Sequence, residues 1–98
     1  MTGKLTKDHQ KSLLENLKDP KEAAAYLNAA LEEGDNELFL LALRNVVKAS
    51  GVTNIARKAH LNRENLYKML SEKGNPELAS LWSILGSIGL KVSIDTVS

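Results

Sequence analysis

The chain contains no cysteine among its 98 residues. This absence excludes disulfides, thiolate nucleophiles and cysteine-based zinc sites, and it fits a reducing cytoplasm. The sequence also lacks any apolar run that approaches the ~18 residues of a membrane span. Near the N-terminus, Lys4, Lys7 and Lys11 are not followed by the apolar stretch of an export signal. We therefore expect a soluble protein that remains in the cytoplasm.

Motifs of catalysis and of metal binding are missing as well. The two histidines, His9 and His60, lie in different segments and do not have metal-ligand spacing. There is no glycine-rich phosphate loop, and the adjacent acids Glu32 and Glu33 would point to different faces of a helix. We therefore expect no enzyme activity, no metal and no cofactor.

The charges of the chain are unevenly distributed. The formal net charge is only +1, which by itself argues against a nucleic-acid partner. However, residues 18–37, the acidic segment, carry two lysines against six acids, whereas residues 38–73, the basic segment, carry seven basic residues against two acids. Such a concentration of positive charge is typical of proteins that bind nucleic acid.

Capping residues divide the sequence into short helices. With 43% hydrophobic and 26% charged residues, the composition is that of a globular domain with one core. Asp19 and Pro20 predict a helix that runs to about Glu33, and Asp35 predicts the cap of a second helix that runs to about Ala49. The second helix is apolar on nearly every side, so it must be central or face a partner.

The two ends of the chain give different signals. Residues 1–18 are interpreted as an N-terminal extension with a short helix from about Asp8, and residues 19–98 as the domain itself. Asn75 and Pro76 predict the cap and first residue of the last helix. Its apolar positions fall on one face at helical spacing, which predicts that they all cover the core: Leu78, Leu81, Trp82, Leu85 and Ile88.

After the last helix the apolar period changes to two. Leu90, Val92 and Ile94 alternate with polar residues, which predicts a short C-terminal β-strand. A solitary strand leaves its backbone groups unpaired, so it would pair with a second copy or with another protein; the alternative is a frayed tail. The expected fold is thus all-α, with five or six short helices and this one strand.

Residues 53–70 have the spacing of two short helices that cross through a tight turn, a helix-turn-helix. Ile55 and Ala59 would face inward from the first helix, and Ala56 is small enough to let the second helix approach. His60 falls at the turn, where the backbone tends to be left-handed. The apolar wedge between the helices is completed by Leu61, Leu66, Met69 and Leu70.

The second of these helices carries the predicted DNA contacts. In a helix-turn-helix its N-terminal part enters the major groove, so we expect Arg63, Glu64 and Tyr67 to contact base edges. The remaining members of the predicted site would cap this helix or contact phosphates: Thr53, Asn54, Arg57, Lys58, Asn62, Lys68 and Lys73. The alternative is a helical hairpin with a solvated polar face, which shows charges at the same spacing.

Four stretches resemble the HigA-like family of addiction-module antidote proteins, which have a Cro/repressor-type helix-turn-helix. The resemblance covers residues 20–94, and the most specific stretches are Tyr26 to Asp35, Glu37 to Leu40, Asn62 to Lys68 and Gly74 to Pro76. It implies a type II antitoxin that neutralises a RelE/ParE-like toxin and represses its own operon as a dimer. His60 and Asn62 differ from the glycine and serine usual in the family, which affects the operator sequence more than the fold.

Charge supports the implied partner, although other functions stay open. A toxin that holds RNA must be cationic, so the acidic segment would attract it; the alternative is a solvated acidic helix. A stand-alone helix-turn-helix transcriptional regulator with no toxin partner fits the same DNA-binding residues. A protein-interaction domain that does not bind DNA is a third possibility.

Overall fold

A computed structural model describes residues 7–97. This part of the chain forms six helices, which are α1 (Lys7–Asn16), α2 (Pro20–Glu32), α3 (Asn36–Ser50), α4 (Val52–Lys58), α5 (Arg63–Met69) and α6 (Leu78–Ile88). The all-α class is therefore confirmed. None of the helices in the described range is both long enough and apolar enough to cross a membrane.

The starts of α2 and α3 follow the predicted capping residues. The Asp19 carboxylate accepts a hydrogen bond from the backbone N–H of Lys21 at 2.9 Å, and the Asp35 carboxylate accepts one from the N–H of Glu37 at 2.9 Å. Each carboxylate satisfies a helix N–H that has no partner inside the helix. Both predicted caps are confirmed, and between them Gly34 has the positive φ of +70° that lets the chain turn.

The third helix is the centre of the fold. It packs against α1, α2 and α4, and its buried side chains are Leu40, Ala42, Leu43, Val46 and Val47. The side chain of Asn45 also donates a hydrogen bond of 2.9 Å to the Tyr26 hydroxyl, which ties α3 to α2. Of the two predicted alternatives, a central helix or one that faces a partner, the central position is confirmed.

One continuous core joins all parts of the described chain. Leu17, directly after α1, belongs to it, as do Leu27 of α2, Ile55 of α4, Leu66 of α5 and Ile84 of α6. Each of these side chains is almost completely removed from water, so α5 and α6 are held by the same apolar cluster.

The predicted C-terminal β-strand is wrong. Within residues 7–97 no strand is present, and residues 90–97, the tail, follow α6 without regular secondary structure. The last backbone bond of α6 runs from the Leu90 N–H to the Leu85 carbonyl at 2.9 Å. Apolar alternation alone does not make a strand, because a strand needs a neighbour to satisfy its backbone groups, and the rest of the described chain is helical.

The predicted start of α6 and the predicted burial of Trp82 are also wrong. The helix begins at Leu78, with Glu77 in the cap position and no side-chain capping bond. Pro76 instead lines a groove beside Phe39 of α3. The buried side of α6 is centred on Ile84 and Leu85, with Leu81 and Ile88 half-buried, so Leu78 and Trp82 lie past its edge and are exposed.

The connection from α5 to α6 passes very close to the end of α5. A Cβ atom placed on Gly74 would overlap the carbonyl oxygen of Met69. Glycine is therefore required here by a close backbone approach, because any side chain would push the two segments apart.

Candidate nucleic-acid interface

The turn between α4 and α5 depends on one left-handed residue. His60 has a φ of +59°, and it is the only non-glycine residue with positive φ in the described range. This conformation lets the Leu61 N–H reach the Ala56 carbonyl at 2.8 Å and the His60 N–H reach the Arg57 carbonyl at 3.2 Å. These two bonds satisfy carbonyls that α4 would otherwise leave open at its end. The predicted left-handed histidine is confirmed.

Apolar contacts fix the two helices relative to each other. Ile55, Ala56 and Ala59 are buried on the α4 side, and Leu66 and Leu70 are buried on the α5 side. Because Ala56 has only a methyl side chain, the backbones can approach closely. The predicted wedge is therefore present, although two of its members are only half-buried, namely Leu61 and Met69.

Asn62 begins α5 as the sequence predicts. Its side-chain oxygen accepts a hydrogen bond of 2.7 Å from the backbone N–H of Asn65. This cap orients the first turn of α5, so Arg63 and Glu64 extend from a helix end that is held in place. Both side chains are exposed, and so are those of Tyr67 and Lys68 one turn later.

The structure leaves nearly all of the predicted DNA-binding side chains in solvent. We call the set the α4–α5 surface. Nine of its members are exposed and Asn54 is half-buried. The set consists of Thr53, Asn54, Arg57, Lys58, Asn62, Arg63, Glu64, Tyr67, Lys68 and Lys73. All of them belong to α4, to α5 or to the turns directly after these helices.

Two contacts within this surface were missed by the sequence reasoning. The Arg63 guanidinium lies 5.9 Å from the centroid of the Tyr67 ring, within the range of a cation–π interaction. The Arg57 guanidinium donates a hydrogen bond of 2.9 Å to the side-chain oxygen of Asn54. The i,i+4 and i,i+3 spacings of these pairs on their helices would have been enough to find them.

The cations of this surface keep their charge exposed. Within residues 7–97, no carboxylate lies within ion-pair distance of Arg57, Lys58, Arg63 or Lys68. By contrast, Lys18, which follows α1, pairs with Glu15 of α1 at 2.7 Å, and the hydrogen bond and charge of Lys18 lower the pKa of the Glu15 carboxyl. Unpaired cations are available to anions such as phosphates.

The acidic segment is exposed as well. Its six carboxylates lie at the start of α2, along α2 and around the turn into α3, and they are those of Asp19, Glu22, Glu32, Glu33, Asp35 and Glu37. In the described part of the chain, no group of three or more His, Cys, Asp or Glu side chains is placed to hold a metal ion. These carboxylates form a charged surface that faces solvent.

Comparison with known proteins gives two matches. Residues 8–96 match the model of a family described as probable addiction module antidote protein. The chain is also 38% identical over 80 residues to an uncharacterized protein of Haemophilus influenzae, and the match covers 82% of each chain. No solved structure matches the chain. The range matched by the family model includes the whole α4–α5 surface and the whole acidic segment.

Proposed function

The chain belongs to the family of probable addiction module antidote proteins, and from this membership we propose that it is the antitoxin of a type II toxin–antitoxin module. In this proposal it acts in the cytoplasm, neutralises a RelE/ParE-like toxin and represses its own operon by binding operator DNA as a dimer. The role is regulatory rather than catalytic. The family match over residues 8–96 carries the antitoxin part of the proposal.

The acidic segment is the surface that we assign to the toxin. A toxin that binds RNA must present positive charge, and exposed carboxylates of opposite sign raise the rate of encounter and favour the correct partner. Glu32, Glu33 and Asp35 support this assignment, because they are exposed together at the end of α2 and the turn that follows.

The α4–α5 surface is the one that we assign to DNA. As a Cro/repressor-type helix-turn-helix, it would place α5 in the major groove. Arg63 can donate two hydrogen bonds to a guanine edge. Its contact with the Tyr67 ring already restricts the side chain, so Arg63 would lose less conformational entropy on binding. Glu64 and Tyr67 would contact neighbouring bases.

The rest of that surface would position α5 on the duplex. Arg57, Lys58, Lys68 and Lys73 are exposed and can contact phosphates, which orient a protein on DNA without reading sequence. Thr53, Asn54 and Asn62 add hydroxyl and amide groups. A dimer would present two copies of α5 to half-sites roughly 34 Å apart.

Gel-shift measurements on the upstream DNA of the chain's own gene test the DNA part. We expect binding to weaken steeply with salt, and Arg63→Ala to lower affinity by about 10- to 100-fold. Lys68→Ala should weaken binding to all sequences and reduce the salt slope by about 1. Lys21→Ala, an exposed lysine in the acidic segment, is the control and should change little. Binding that ignores salt, or an Arg63→Ala variant with unchanged affinity, would contradict the assignment.

Co-expression with the product of the neighbouring gene tests the antitoxin part. We expect toxicity to disappear and the two proteins to co-purify. The double variant Glu32→Lys, Glu33→Lys should slow association, because it reverses charge where the toxin is expected to approach. The double variant Glu64→Lys, Glu72→Lys makes the same change of net charge in the basic segment and should leave toxin association unchanged. Equal rates for both variants would show that the acidic segment is only solvated surface.

A further inference from the structure

The outward side of α3 carries apolar side chains that neither assigned surface includes. Leu38 and Leu41 are 37% and 44% exposed. Together with Asn45 they follow the i, i+3, i+7 spacing, so the three side chains lie on one side of the helix. Single exposed leucines are normal on a protein surface, but neighbouring ones mark a site of association.

α2 continues this apolar side. The side chain of Asn45 donates its hydrogen bond to the Tyr26 hydroxyl, so Tyr26 borders the same side of α3. Ala29 lies three residues after Tyr26, hence on the same side of α2, and it is exposed. We call these five residues the α2–α3 surface: Tyr26, Ala29, Leu38, Leu41 and Asn45.

The α2–α3 surface is held in place before any partner binds. The 2.9 Å bond between Asn45 and Tyr26 ties the two helices together on the outside. On the inside, Leu27 of α2 and Leu43 of α3 belong to the same buried core. A surface that is already ordered loses little conformational entropy when it binds, which favours tight association.

Carboxylates border this surface at the turn between the two helices. Glu33 lies four residues after Ala29, and Glu37 lies four residues before Leu41, so each neighbours the surface from its own helix. Both carboxylates are exposed. Lys48, the exposed cation of α3, lies seven residues beyond Leu41 toward α4. The negative end of the surface is therefore the end at the turn.

Charge alone would not hold a toxin on the acidic segment. Exposed ion pairs add little affinity because water and salt screen them, and charges at the edge of a contact act mainly on the rate of association. An antidote must also stay bound. Slow dissociation comes from apolar side chains that leave water at the centre of a contact, and the acidic segment needs such anchors beside it.

We propose that Leu38 and Leu41 are these anchors, and that the α2–α3 surface receives an apolar segment of the toxin flanked by lysine or arginine side chains. The inference rests on the proposed function and deepens it, because the carboxylates would steer the toxin and the leucines would hold it. In the complex, the flanking cations meet Glu33 and Glu37, and the apolar side chains cover both leucines and the Tyr26 ring.

Charge favours a cationic toxin over other occupants of this surface. A second copy of the chain would bring a second acidic segment against the first, and DNA would be repelled by the same carboxylates. Another apolar region, a groove of about 370 Å³ between α6 and the tail, is lined by residues that include Trp82 and Ile94. Lys91 is the one charged residue of that lining, so the groove offers a cationic segment no attraction.

Rate measurements with the product of the neighbouring gene test the anchors. Leu41→Gln keeps the approximate size and helix propensity of leucine but is polar, so it should raise the dissociation rate about tenfold. The association rate should stay within about twofold of the original. Leu38→Gln should act in the same direction. Leu78→Gln is the matched control, because Leu78 is 61% exposed on α6, and it should change neither rate. An unchanged dissociation rate for Leu41→Gln would overturn the proposal.

Salt separates the anchors from the steering charges. Raising the ionic strength should slow association of the original chain and of Leu41→Gln by the same factor, because both keep every carboxylate. Glu33→Gln should show the converse change, an association rate about twofold lower with nearly unchanged dissociation. A Leu41→Gln variant that associated more slowly and dissociated normally would contradict the role of an anchor.

An introduced cysteine maps the contact. The chain has no cysteine, and Ala29 is exposed within the α2–α3 surface. In the Ala29→Cys variant, toxin at about ten times its dissociation constant should slow alkylation of the thiol about tenfold. Ala79→Cys replaces an exposed alanine of α6 and is the matched control, whose alkylation should not depend on the toxin. Equal protection at the two positions, or none at position 29, would overturn the proposal.

The outcomes separate this inference from the proposed function. If the original chain does not bind the product of the neighbouring gene, the antitoxin proposal fails and this inference fails with it. If the original chain binds and the leucine variants dissociate at the original rate, only this inference fails. Sedimentation of the full chain alone tests the other occupant. A Leu41→Gln variant that forms smaller species than the original chain would show that a second copy covers the surface, and would overturn the proposal.

Discussion

The α4–α5 surface and the groove between α6 and the tail expose opposite kinds of side chain on the same core. The first leaves cations such as Arg63 and Lys68 without carboxylate partners, and the second leaves Trp82 and Ile94 without apolar cover. Leu66 under the first and Ile84 under the second belong to one buried cluster. The difference teaches that a small helical domain can present unlike surfaces on one core by varying only the outward sides of its helices.

The two regions also differ in how their helices begin and end. α5 begins with a side-chain cap from Asn62, whereas α6 begins at Glu77 without one. α4 ends at a left-handed histidine, His60, whereas α6 ends at a left-handed glycine, Gly89. Paired substitutions in the two regions therefore measure what a side-chain cap and a left-handed residue each contribute to folding stability.

The largest effect is expected in the shared core. Leu66→Ala and Ile84→Ala should each lower the free energy of unfolding by about 2–5 kcal/mol, because each leaves a cavity in a close-packed cluster. The measurement is denaturant unfolding followed by circular dichroism. Tyr67→Ala, next to Leu66 but exposed, is the control and should cost under about 1 kcal/mol. If Leu66→Ala melted α5 alone and left α6 folded, the two surfaces would not share one cooperative unit.

The helix caps should give the next effect. Asn62→Ala should lower the free energy of unfolding by about 1 kcal/mol, because the N–H of Asn65 loses its side-chain acceptor. Glu77→Ala should change it little, since Glu77 makes no capping bond. Thermal unfolding of both variants measures the difference. Equal losses at the two positions would contradict the described contrast between the helix starts.

Substitutions of the left-handed residues should change the free energy of unfolding by no more than the cap does, with opposite signs in the two regions. His60→Gly should raise the free energy of unfolding by about 0.5–1 kcal/mol, because it relieves the strain of a side chain at positive φ, partly offset by the flexibility of glycine in the unfolded chain. Gly89→Ala should lower the free energy of unfolding by about 1 kcal/mol, because a residue with a side chain is strained at the Gly89 φ of +92°. The added Cβ would contact no other atom, so the loss would measure this backbone strain alone. A stabilising Gly89→Ala would refute the backbone argument.

The smallest effect is expected outside both surfaces. Lys18 lowers the pKa of Glu15 in the folded chain. The stability that this pair contributes is therefore fully present above the pKa that Glu15 has in the unfolded chain. It is lost as the pH falls through the lower pKa of the folded chain. Both groups are exposed, so Glu15→Gln should not measurably change stability at neutral pH. Unfolding curves at pH 7 and pH 3 check this, and a clear loss at pH 7 would speak against it.

Local signals explain what the sequence predicted correctly. Asp19, Asp35 and Asn62 act on N–H groups two or three residues away, so their capping roles can be read without knowledge of the fold. The left-handed turn at His60 is also a local property. The exposure of the α4–α5 surface follows from helical spacing once the apolar side is assigned.

The errors arose where the answer depends on distant residues. The spacing of Trp82 fits an apolar stripe, but which part of that stripe is buried depends on where α6 meets α4. Ile84, left out of the predicted stripe, is the most deeply buried residue of α6. The alternation of the tail cannot supply the neighbouring strand that a sheet requires. Local pattern therefore predicts which residues form helices better than it predicts their tertiary neighbours.

The close approach at Gly74 has a consequence for how this protein can diversify. Because the link touches the backbone of α5 itself, no substitution at position 74 can re-aim that helix without breaking the contact. Under the proposed DNA-binding role, changes of binding preference would come from outward residues such as Arg63 and Tyr67, which have no part in the buried cluster. Related chains could thus acquire new targets by exchanging exposed side chains while the fold stays the same, at little cost in folding stability.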